Sequence, residues 1–134
     1  MRQLKSAIIA PSIFILMLLL SIEAWAGMSI KNLTIRESHK VDAGYFEITN
    51  TSDKEDKLIS VESSAYERVE LHTMDMTDNI MRMRRLDSVT LPAGETVEFK
   101  RMGLHLMLFT PRDHDTKTFT FQFEDAETVT VNLK

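Results

Sequence analysis

Along much of this chain apolar and polar residues alternate with a period of two, and turn residues interrupt the alternation every few positions. Phe119, Phe121 and Phe123 alternate with Thr120 and Gln122, and Val129, Val131 and Leu133 alternate with Thr130 and Asn132. In an extended strand successive side chains point to opposite faces, so each segment has one core face and one wet face. The pattern predicts strands over residues 29–36, 44–49, 57–62, 68–72, 80–84, 96–100, 104–109, 118–124 and 128–133. No 11-residue window carries a convincing helical period. Residues 124–127 are expected to join the last two strands as a hairpin. Residues 50–56 read as a solvated loop, and Pro92 with Gly94 marks a turn over 91–95. The expected class is all-β, a Greek-key sandwich or barrel of the immunoglobulin or cupredoxin kind.

The first residues break the pattern. Arg2 and Lys5 precede an apolar run from Ala7 to Leu20, followed by Ala24, Trp25 and Ala26. This is the layout of a secretory signal, and the run is shorter than the roughly 20 residues that span a bilayer. Residues 1–26 are therefore read as a cleaved signal peptide and 27–134 as one domain, exported and not stably inserted in a membrane. Removing Arg2, Lys5 and Glu23 shifts the formal charge from −4 to −5. Such an acidic domain has no electrostatic reason to seek nucleic acid.

Composition narrows the chemistry further. The chain has no cysteine, which excludes disulfides, thiol redox chemistry, a lipid-bearing cysteine and a blue-copper thiolate. It has nine methionines, and five of them fall between Met74 and Met102, with Met107 just beyond. No catalytic arrangement competes: Ser63 and Ser64 lack a base at an interpretable spacing, and there is no phosphate-binding loop. An enzyme is not expected.

The alternation itself turns metal ligands away from the core. Leu104, Leu106 and Leu108 face one side, which leaves His105 and Met107 together on the other. Val69 and Leu71 point inward while His72 lies outward beside Glu70. Met81 and Met83 alternate with Arg82 and Arg84, and alternation alone does not choose between these two methionines. Thioether sulfur is a soft, uncharged ligand suited to copper(I), and imidazole binds copper in either oxidation state. The expected site is His72, Met83, His105 and Met107 around one copper(I) ion. Met74, Met76 and Met102 are candidate auxiliary ligands. Met28 and Met81 are read as core filler, His39 and His114 as solvated loop residues, and Arg82 with Arg84 as solvated charge or a dock for an acidic partner.

The spacing His72-x10-Met83-x21-His105-x-Met107 resembles the H-x10-M-x21-H-x-M pattern of the periplasmic copper chaperones called PCuAC. The flanking text is similar too: Val69-Glu70-Leu71-His72, Met81-Arg82-Met83, Leu91-Pro92-Ala93-Gly94-Glu95 and Gly103-Leu104-His105-Leu106-Met107. So are Ala43-Gly44-Tyr45-Phe46 upstream and the closing hairpin, and the likeness spans nearly all of 27–134. The resemblance implies a cupredoxin-like barrel that binds one copper(I). It also implies delivery of that ion during assembly of respiratory oxidases, to an oxidase subunit or alongside a Sco-type thiol protein. A monomer is expected. Two features depart from the family. Many relatives have a second glycine where this chain has Arg101-Met102-Gly103, and no His/Met-rich tail precedes Lys134. Two other readings remain open: a copper scavenger or resistance protein without a dedicated acceptor, and a β-sandwich interaction module whose methionines merely pack.

Overall fold

The computed structural model describes residues 27–112 and 115–134, so the segment read as a signal peptide and His114 lie outside the described residues. Among the described residues there are ten strands and no helix. They are β1 (Met28–Arg36), β2 (Asp42–Asn50), β3 (Asp56–Ser63), β4 (Tyr66–Thr77), β5 (Ile80–Leu86), β6 (Val89–Leu91), β7 (Thr96–Phe99), β8 (His105–Pro111), β9 (Lys117–Phe123) and β10 (Val129–Leu133). One sheet runs β1-β2-β8-β4-β5, with β7 also paired to β2, and the other runs β10-β9-β3-β6. The described strand pairs are all antiparallel. This is the expected all-β sandwich with a cupredoxin-like arrangement of two sheets.

The core is what the alternation promised. Phe46, Ile48, Leu71, Leu106 and Leu108 bury one face of the first sheet against Leu58, Val61, Phe119 and Phe121 of the second. Phe46 stacks on Phe99 with ring centroids 4.2 Å apart and meets Phe121 edge-on at 5.0 Å, so it ties the two sheets together. Each such fully buried side chain contributes about 1.5–3 kcal/mol over exposure.

Three differences from the expected strands have physical causes. The solvated loop at 50–56 is held at both ends by buried side chains. Asn50 donates to the carbonyls of Lys54 and Leu91 and accepts from Ser52, and Asp56 accepts the backbone N–H groups of Lys57, Asp125 and Ala126. Leu91 belongs to the short strand β6, ahead of a turn in which Glu95 N–H donates to the Pro92 carbonyl and Gly94 takes φ 70°. Finally, β4 does not stop at His72. It continues to Thr77 and returns as β5 through Asp78 and Asn79, both left-handed at φ 53° and 61°. Positive φ at both central residues makes this a tight type I′ hairpin, which matches strand twist.

Gly44 sets the spacing below the outer face. It pairs with Leu106, and a Cβ at position 44 would lie 3.2 Å from the Leu106 Cβ. The absence of that carbon lets β2 and β8 close tightly under His105 and Met107.

Candidate metal centre

The strand registers decide which side chains share the outer face of the first sheet. His72 on β4 pairs directly with His105 on β8, Glu70 pairs with Met107, and Met107 pairs on its other side with Ala43. On the far side of β4, Met74 pairs with Met83 and Met76 with Met81, all on the face that carries His72. Alanine at position 43 leaves open the space beside Met107. A cleft of about 790 Å³ occupies this face, walled by Met74, Met83, Met102, His105 and Met107 together with Arg36, Glu37, His39, Tyr45 and Arg101.

The contacts within it favour a soft cation. His105 is buried at 7% exposure, and its Nδ1 lies 2.8 Å from the Gly103 carbonyl, which only accepts. Nδ1 therefore carries the proton, and in the neutral ring Nε2 presents a lone pair. That Nε2 stands 3.3 Å from the Met83 sulfur. Two lone-pair donors share one small volume there. Nitrogen and sulfur ligands of a single tetrahedral ion sit roughly 3.5 Å apart, taking bonds of about 2.0 and 2.3 Å. The contact thus has the separation of a ligand pair.

His72 adds a second imidazole, with its ring centroid 5.8 Å from that of His105. It does not wall the cleft but lies beside His105. Its Nε2 donates to Glu70 Oε2 at 2.8 Å, and its Nδ1 is buried without a partner. A carboxylate that holds one ring nitrogen while the other is left for a metal is the usual outer-shell arrangement at histidine ligands. An unsatisfied buried acceptor costs about 1–3 kcal/mol, which coordination would recover. The bond from His72 holds the Glu70 carboxyl below its ordinary pKa of 4.5; burial opposes this, and Arg68 and Arg85 reinforce it.

Of the four residues singled out by their spacing, Met83, His105 and Met107 wall one cleft, and His72 lies on the same face beside His105. Met83, not Met81, touches His105. Among the auxiliary candidates, Met74 and Met102 wall the cleft, whereas Met76 lies beyond it at 66% exposure. Met81 is no core filler. It is 38% exposed, and nearly all of β5 is likewise exposed. Met28 packs against the core as expected. His39 is exposed, as expected of a loop residue, yet it also walls the cleft, which its local sequence did not reveal. Glu70, placed beside His72 by the alternation, was given no role there. Its signal was present: an acid two residues from a histidine on one strand shares its face.

Met102 holds an unusual backbone. Gly103 N–H donates to the Lys100 carbonyl, and Met102 within that turn takes φ 69°, a conformation glycine adopts freely and methionine at a cost.

The strands and the outer-face cleft define a cupredoxin-like domain with histidines and methionines on one face, and the comparisons agree on the fold. The chain belongs to the LpqE-like family, whose model, described as "Putative lipoprotein LpqE-like", matches residues 24–134. The 134 residues here contain no cysteine to carry a lipid. A Rickettsia prowazekii (strain Madrid E) protein, RP573, is 29% identical over 118 residues, which cover 84% of this chain and 64% of that protein. Among solved structures, the copper-bound PCuAC domain from PmoF2 is similar at 23% identity and TM-score 0.64, over 81% of this chain and 92% of the domain. The apo PCuAC domain from PmoF1 is similar at 20% identity and TM-score 0.63, over 78% of this chain and 89% of the domain. At these identities the solved structures establish the shared fold.

Proposed function

We propose that this chain is a periplasmic carrier of a single copper(I) ion, held by His72, Met83, His105 and Met107 and released to an acceptor by ligand exchange. The observation that carries the reading is the His105 Nε2 lone pair set 3.3 Å from the Met83 sulfur, on the wall of an open cleft. Two neutral imidazoles and two thioethers add no charge to the ion, so the donor set favours the singly charged, soft state. The copper-bound PCuAC domain from PmoF2 lends support through its shared fold.

Release follows from the same donors. Arg36 and Arg101 outnumber Glu37 on the cleft wall and disfavour a bound cation, and Met83 is 55% exposed. An incoming thiolate replaces thioethers one at a time, and the transfer is driven by the difference in affinity, without catalysis. Acceptors of this chemistry include a Sco-type thiol protein or a copper-binding oxidase subunit. Export through residues 1–26 belongs to the same reading.

A copper(I) titration of the purified protein against a competing chelator of known affinity tests it. The expected stoichiometry at the tight site is one, with loss of at least tenfold in affinity for His105→Ala and for Met107→Ala. Unchanged affinity in both variants would overturn the assignment.

A further inference from the structure

The β4–β5 hairpin carries a second group of sulfur ligands that the four-residue site does not use. Along β4 the outer face presents His72, Met74 and Met76 in sequence, and along β5 it presents Met83 and then Met81. Met74 pairs with Met83 and Met76 with Met81, so four thioethers form a two-by-two block running from the cleft to the hairpin tip. Directly opposed residues have Cβ atoms about 4.5–5.5 Å apart, within reach of flexible methionine side chains. Packing does not account for the outer pair. Met76 and Met81 are 66% and 38% exposed, and neither is among the residues packed on the hydrophobic core. The hairpin is nonetheless well defined, because its left-handed Asp78–Asn79 turn fixes the register and the Arg84 side chain bonds Asp75 at 2.6 Å.

We propose that the Met76–Met81 pair is a second, weaker station for a soft monovalent metal ion, through which copper(I) reaches and leaves the four-ligand site. The proposal rests on the copper-carrier reading above and assigns that site its route. The exchange moves no electrons and no protons. A lone pair of Met76 or Met81 forms a bond to the ion as a bond from Met83 or Met74 breaks, and the ion keeps its single positive charge. Met83 belongs to both groups, since it touches His105 on one side and neighbours Met81 two residues along its strand.

Silver(I) is a redox-stable probe with the same preference for thioethers. Titrating the purified protein with silver(I), and following methionine methyl groups labelled with carbon-13, resolves both stations. The first equivalent is expected to shift the Met83 and Met107 methyls. The second is expected to shift Met76 and Met81, with at least tenfold weaker binding. In the double variant Met76→Leu with Met81→Leu, circular dichroism and the first equivalent stay unchanged, the second is lost, and copper(I) transfer to glutathione slows at least threefold. Met76 and Met81 methyls that stay still through two equivalents would overturn the proposal, as would an unchanged transfer rate in the double variant. That last result is also what a hairpin serving only to dock a protein would give. If instead the first equivalent leaves Met83 and Met107 unmoved, the copper-carrier reading itself fails.

Discussion

Met83 reaches His105 across an intervening strand. The sheet order is β8-β4-β5, so the backbones carrying these two residues are separated by β4, yet Nε2 and Sδ lie 3.3 Å apart. Adjacent strands are about 4.8 Å apart, which puts β8 and β5 nearly twice that distance from each other. The Met83 side chain spans most of the gap. This leads to an asymmetry between two methionines that look alike in sequence. Met83→Leu should weaken copper(I) binding at the tight site at least tenfold, and Met81→Leu should leave that affinity within twofold. Chelator competition on both variants checks it.

Glu70 links the site to acid stability. Its carboxyl is held below the ordinary 4.5 by the bond from His72, so the folded state binds that proton less readily than the unfolded chain. The stabilisation is therefore complete above about pH 4.5 and is lost as pH falls through the lowered value. Glu70→Gln should flatten the dependence of metal-free stability on pH below about 4.5. Urea unfolding at pH 3, 4, 5 and 7 measures this, and a slope identical to that of the unaltered protein would contradict the assignment.

Met102 separates stability from binding. A non-glycine residue in the left-handed region costs on the order of 1 kcal/mol, so Met102→Gly should hold or raise unfolding stability by up to about 1 kcal/mol. The same change removes a sulfur from the cleft wall. Copper(I) affinity is expected to fall by less than the loss at Met83. Thermal unfolding and chelator competition on the one variant test both halves.

The close approach of β2 to β8 is a structural requirement of the site. Gly44→Ala places a carbon 3.2 Å from the Leu106 Cβ and Cδ1, a contact that Leu106 relieves by giving way a few tenths of an ångström. We expect a loss of about 1–3 kcal/mol in stability. Since Leu106 sits between His105 and Met107, we also expect weaker copper(I) binding in the fraction that folds. Wild-type stability in this variant would show that the strands have room to spare.

Much of this was legible in the sequence because one rule, the two-residue alternation, builds both the core and the site. The same parity that buries Leu106 and Leu108 and packs Leu104 against the core sends His105 and Met107 to the outer face. The rule failed where the local signal was absent. The expected strand over 68–72 ends short because the outer half of β4 and all but the end of β5 extend beyond the core, where nothing demands apolar residues on one face. The three-residue strand β6 is too short to show a period. Nor does any local pattern reveal that the β1–β2 loop brings His39 to the cleft, since that depends on how distant strands are ordered. Asn50 and Asp56 misled for a different reason. They are polar residues with loop character, and their burial became visible only with the backbone groups they satisfy.

In the proposed site two imidazoles and two thioethers hold one copper(I) ion. X-ray absorption at the copper edge, on protein loaded with one equivalent of copper(I), tests it most directly. A reduced ion with about two nitrogen and two sulfur neighbours is expected, with loss of one sulfur in Met83→Leu. A first shell of nitrogen and oxygen alone, or a shell unaltered by Met83→Leu, would contradict it.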